Sequence, residues 1–116
     1  MMNQNDLKNE TLKHYSFLSD MYSDGYFPNF LVDKVKMVLL QFCKKIEKET
    51  PQNLDELYVL SHAATELIND LENEFHEADS EIETVARDTI GVDFEFIAKT
   101  YNFDADIEML IAPRDW

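Results

Sequence analysis

Cysteine is almost missing from this chain: of 116 residues, only Cys43 carries a thiol. A single cysteine excludes an intramolecular disulfide, and its apolar neighbours Phe42 and Ile46 point to a small buried hydrophobe rather than a nucleophile. Glycine and proline are nearly as scarce, at 2 and 3 residues, which favours long regular segments over a turn-rich β fold. No apolar run is longer than Met37–Leu40, far short of the ~20 residues that span a bilayer. The opening Met-Met-Asn-Gln-Asn-Asp has neither the basic nor the apolar region of a signal peptide, so the expected compartment is the cytoplasm. Basic residues are also rare, but only in the second half of the chain.

That last scarcity is the strongest compositional signal. Up to Lys48 there are 7 Lys/Arg and 6 Asp/Glu, a balance of 7 − 6 = +1. From Glu49 onward Arg87, Lys99 and Arg114 face 18 Asp/Glu, a balance of 3 − 18 = −15, which completes the net −14 of the chain. Phosphate neutralisation needs a basic field, so direct nucleic-acid binding is disfavoured. Docking to an anionic membrane fails on the same sign argument. The acidity is not the mark of a disordered chain, because 45% of residues are hydrophobic and 13 are Phe or Tyr. The length fits one domain.

The periodicity predicts an all-α fold of five to six helices, packed around a central antiparallel helical hairpin. Residues 1–12 read as a loose extension and 13–116 as one helical domain. A first helix is expected from about Thr11, with Tyr15, Leu18 and Tyr22 on one face and a left-handed cap at Gly25. A second runs from Pro28 to about Glu49, with Leu31, Val35, Val38, Leu39, Phe42 and Ile46 inward. After Thr50-Pro51-Gln52, Asn53 and Glu56 have the spacing of a capping box. The third helix then places Leu54, Leu57, Ser61, Ala64, Ile68, Leu71 and Phe75 on one stripe. Ser80 and Glu83 predict a second capping box, Gly91 a helix end, Asp93 and Asp104 the caps of two further helices, and Asn102 a left-handed terminator. Glu83 and Arg87 are correctly ordered for an i,i+4 ion pair, and Trp116 is expected to fold back onto the helices.

No catalytic constellation is recognisable. The serines lie in no nucleophile-elbow context, and no Gly-rich loop could cradle a phosphate. His62 and Glu66 stand four apart and could serve a small metal protein or enzyme, which is the alternative reading. The surrounding zinc and di-iron patterns are absent, so no catalytic residue, metal ligand or cofactor is assigned. Self-association through exposed aromatic residues is a further possibility that composition leaves open.

Several stretches are similar to a bacterial family of small acidic proteins described only as a domain of unknown function. They are His14–Tyr22, Tyr26-Phe-Pro, Leu31-Val-Asp-Lys, His62-Ala-Ala-Thr-Glu, Asp79–Arg87 and the closing Ile111-Ala-Pro-Arg-Asp-Trp. The resemblance spans about 13–116 and implies a small intracellular bacterial protein. It brings no activity, cofactor or site residue.

The function these observations favour is that of a small acidic protein-binding module, an adaptor or an immunity-like inhibitor, meeting a basic protein partner. Some carboxylates have local roles at helix starts. The excess that remains is Glu66, Asp70, Glu74, Glu77 and Glu81, the candidate partner-binding residues.

Overall fold

A run of 21 residues with apolar positions every three to four residues forms the longest element of the fold, the helix Asn29–Glu49. In the computed structural model, which describes residues 3–116, the chain begins with a single 3-10 turn at Gln4–Asp6. It continues through α1 (Glu10–Lys13), α2 (Ser19–Ser23), α3 (Asn29–Glu49), α4 (Leu54–Asn69), α5 (Glu72–Glu77), α6 (Thr84–Thr100) and α7 (Ile107–Leu110). No strand occurs among the described residues, and the all-α class holds.

The predicted inward face of α3 is the buried one: Leu31, Val35, Val38, Leu39, Phe42 and Ile46 are all buried. Cys43 lies among them with no exposed surface, and burial pushes its thiol up, ahead of the nearby Glu47 charge. α3 and α4 make the most extensive helix–helix contact of the molecule. On the α4 side Leu57, Ser61, Ala64 and Ile68 are buried, and Phe75 continues the stripe from α5. Asn53 caps α4 by accepting the Glu56 N–H at 2.9 Å, while Glu56 returns its carboxylate to the N–H of Gln52, not of Asn53.

The fold departs from the sequence reading at several element boundaries. The expected first helix is split into α1 and α2 by residues 14–18, and Gly25 is not left-handed. Leu18 takes that conformation instead, at φ 55°, directly before α2. Residues 3–12 are not a loose arm. Leu7 and Leu12 are in the core, and the Gln4 amide donates to the carbonyls of Leu12 and Tyr15 at 2.7 and 2.8 Å. The predicted third helix is interrupted at Asp70-Leu71, giving α4 and α5.

α6 runs unbroken through Gly91 and Asp93, both of which the sequence had suggested as boundaries. Gly91 allows a close approach: a Cβ there would sit 3.0 Å from Ile107 Cγ2 of α7. Asp93 is no cap of its own helix. It is 3% exposed, and its carboxylate accepts the Tyr15 hydroxyl at 2.5 Å and the Leu18 N–H at 2.7 Å. A carboxylate from α6 thus caps α2 across the core and compensates the left-handed Leu18, a conformation costing about 1–2 kcal/mol for an L-residue. Glu47 does the same for the N-terminal segment, accepting the N–H groups of Lys8 (2.9 Å) and Asn9 (3.0 Å) and the Tyr101 hydroxyl (2.6 Å).

α5 and α6 both end in the left-handed turn expected of a Schellman motif, at Asp79 (φ 58°) and Asn102 (φ 71°). The latter is the terminator the sequence predicted. The second capping box does not form: Ser80 donates its hydroxyl to the Tyr26 carbonyl at 3.0 Å, and α6 begins at Thr84 without a side-chain cap. The last helix starts after Asp106 rather than Asp104, also without a side-chain cap.

Candidate functional site

The five acidic residues singled out by sequence fall on two helices and the loop that follows them. Glu66 lies on α4, Asp70 at its C-terminus, Glu74 and Glu77 on α5, and Glu81 in the approach to α6. Glu66, Asp70, Glu77 and Glu81 are exposed, and Glu74 is half-buried. Only Glu74 meets a cation among the described residues, the Lys34 ammonium of α3. The remaining four keep their charge free on the surface, beside two half-exposed helices that carry no arginine or lysine at all between Leu54 and Ala86. An exposed pair such as Lys34–Glu74 contributes about 0–1 kcal/mol, so it orients α5 against α3 more than it stabilises the fold.

Beside Glu66 on α4 runs a second polar ladder that sequence reasoning missed. His62, Thr65 and Asn69 lie at i, i+3 and i+7 and therefore share a face. His62 Nε2 is 2.7 Å from the Met109 carbonyl, and the Thr65 hydroxyl, donating to Ser61 at 2.9 Å, also stands 3.4 Å from the Leu110 carbonyl. The Asn69 amide donates to the Pro113 carbonyl and accepts the Asp115 N–H, both at 3.0 Å. α7 is only four residues long and cannot hold itself together. α4 supplies what α7 lacks by binding its last carbonyls, the groups every helix leaves without internal partners.

The tail is closed by two arginines and an indole. Arg87 Nε donates to the Trp116 main-chain oxygen at 3.2 Å, so it is not the partner of Glu83 that helix spacing suggested. Arg114 meets Glu108 at 3.2 Å, and Trp116 is buried at 7% exposure, folded back as its size predicted. His62 ties α4 to α7, and its ring is stacked on Tyr58 at 6.0 Å. Its i+4 neighbour Glu66 points to solvent, and no cluster of three or more metal-ligating side chains occurs among the described residues.

A second feature invisible to composition lies beside the acidic loop. Phe30 is 60% exposed and Tyr26 40% exposed, flanking Pro28 at the start of α3. The Ser80 hydrogen bond to the Tyr26 carbonyl brings the loop of Glu81 and Glu83 alongside Tyr26. The Tyr26 phenol is pushed up, first by desolvation and then by the charges of Glu83 and Glu81. Among the described residues, no helix is long and apolar enough to cross a membrane.

Comparison with known proteins places the chain without assigning it an activity. A family model described as a family of unknown function (DUF5713) matches residues 11–116, and the chain belongs to that family. The match takes in Thr11 and Leu12, two residues more than the sequence resemblance had suggested. No curated protein and no solved structure matches the chain.

Proposed function

We propose that this member of the family is a protein-binding module, and that it meets a basic partner through the acidic surface of α4, α5 and the loop to α6. The observation that carries the reading is the contrast between Glu74, taken by Lys34, and the exposed Glu66, Asp70, Glu77 and Glu81, which pair with no cation among the described residues. Carboxylates held on a folded surface without internal partners create a field that accelerates encounter with a positive surface and repels acidic ones. Asp79 closes α5 with a left-handed turn, and Ser80 fixes the following loop to Tyr26. An adaptor and an inhibitor of a basic protein would use such a surface in the same way.

Affinity capture with the tagged full chain, run at about 50 mM and about 500 mM NaCl, tests this because screening weakens exposed charge contacts first. The reading predicts a basic protein retained at low salt and released at high salt. A set of captured proteins that is the same at both would contradict it.

A further inference from the structure

Resting on that reading, we infer that Tyr26 and Phe30 form the docking point of the acidic surface, and that the group they receive is an arginine side chain from the basic partner. Large aromatic side chains are normally withdrawn from water, and Phe17, Phe27, Phe42, Phe75 and Phe94 of this chain are buried. Tyr26, just before α3, and Phe30, in its first turn, are instead exposed, and the backbone of Tyr26 is held in place. Asp24 accepts the Tyr26 N–H at 3.0 Å, Ser80 donates to its carbonyl at 3.0 Å, and the buried Phe27 ring meets the Tyr26 ring edge-on at 5.1 Å. The Tyr26 ring is thus presented from a backbone held on both sides, an arrangement that lowers the entropic cost of binding.

Charge complementarity decides what covers them. The segments 24–34 and 74–83, joined by the Ser80–Tyr26 and Lys34–Glu74 contacts, contain Asp24, Asp33, Glu74, Glu77, Asp79, Glu81 and Glu83 against Lys34, a balance of 1 − 7 = −6. Lys34, four residues from Phe30 and so on its side of α3, is already taken by Glu74. A neutral apolar partner would bury these carboxylates without compensation, which is costly. A partner bringing cations would not. Arginine suits the rings better than lysine because its flat, weakly hydrated guanidinium stacks on an aromatic face while its N–H groups reach neighbouring carboxylates.

The test uses the full chain and two defined probes, N-acetylated hexa-arginine and hexa-lysine peptides, titrated by NMR at low salt. The expected result is tighter binding of the arginine peptide, with chemical-shift changes at Tyr26, Phe30 and the 80–83 loop. Replacing both rings (Tyr26→Leu with Phe30→Leu), which keeps apolar bulk at exposed positions, should weaken the arginine peptide by about 2- to 5-fold per ring. Glu66→Lys with Asp70→Lys should weaken both peptides alike, and that arm reports on the broader charge reading alone. Equal affinity of the leucine variant and the original chain for the arginine peptide would overturn the docking point, even if the lysine substitutions abolish binding. No binding of either peptide would overturn it too. So would sedimentation showing a dimer that the leucine variant dissolves, since a second copy would then cover the rings.

Discussion

Replacing Asp93 separates two roles that a buried carboxylate can play, and the geometry predicts which one matters. Its oxygens accept from the Tyr15 hydroxyl and from the N–H of Leu18, the residue that starts α2 in a left-handed conformation. In Asp93→Ala both donors lose that acceptor, and the Leu18 N–H is the buried one of the two. An unsatisfied buried donor costs about 1–3 kcal/mol, so with the lost packing the alanine variant should be destabilised by about 2–4 kcal/mol. Asp93→Asn keeps an oxygen for Leu18 and can donate to the Tyr15 oxygen, at a cost below about 1 kcal/mol. The charge itself is not favoured there. Burial holds the Asp93 carboxyl above its ordinary range, outweighing the hydrogen bonds from Tyr15 and Leu18, with the Asp20 charge adding to the rise.

The sign of the pH dependence follows from that shift. With the folded pKa above the unfolded one, the folded chain binds the extra proton in the window between them. Stability contributed by Asp93 is therefore fully present below the unfolded value of 3.8 and is lost as pH rises through the folded value. Urea unfolding followed by circular dichroism, with the original chain and both variants at several pH values, measures all of this. The gap between the original chain and Asp93→Asn should move in favour of the original as pH falls towards that value. An asparagine variant as damaged as the alanine one would refute the argument, because charge rather than hydrogen-bond acceptance would then be what α2 needs.

Further outcomes follow from other contacts. Asn69→Ala removes both bonds to the tail and should cost about 1–3 kcal/mol; hydrogen exchange should show faster amides at 112–116, and unchanged protection there would rule out the clamp. Cys43 should resist thiol reagents in the folded chain and react only on unfolding, since it is buried and its thiol is pushed up; rapid labelling under native conditions would contradict this. Moderate NaCl should raise the melting temperature, because 24 acidic residues against 10 basic ones repel one another and screening relieves that repulsion. A melting temperature that stays flat or falls would mean the carboxylates are already compensated.

The parts of the fold legible in sequence are those governed by local periodicity. α3 and α4 bury the stripes their spacing predicts, and Asn53 and Asn102 act at the helix ends where their chemistry suits them. Three of the errors share one cause. Gly91, Asp93 and Ser80 have strong local preferences for ends and caps, yet each serves a partner far away in sequence: Ile107, the Tyr15–Leu18 segment and Tyr26. Propensity is a weak prior that such tertiary contacts override. The candidate surface divides in the same way. Composition identified the acidic excess from Glu66 to Glu81, but the Lys34 partner of Glu74 is 40 residues away and was not identifiable. Tyr26 and Phe30 escaped notice because an aromatic residue in a sequence reads as core until its exposure is seen.

The central claim is that the acidic face of α4 and α5 recognises a basic protein, and charge reversal on that face tests it most directly. A variant carrying lysine at Glu66, Asp70, Glu77 and Glu81 should be compared with a control carrying lysine at Asp104, Asp106 and Glu108, with both variants checked for native helicity. Quantitative affinity capture at low salt should show the basic partner bound by the original chain and by the control, and lost from the variant at 66–81. Equal recovery of that partner by all three chains, or its loss from the control alone, would contradict the account.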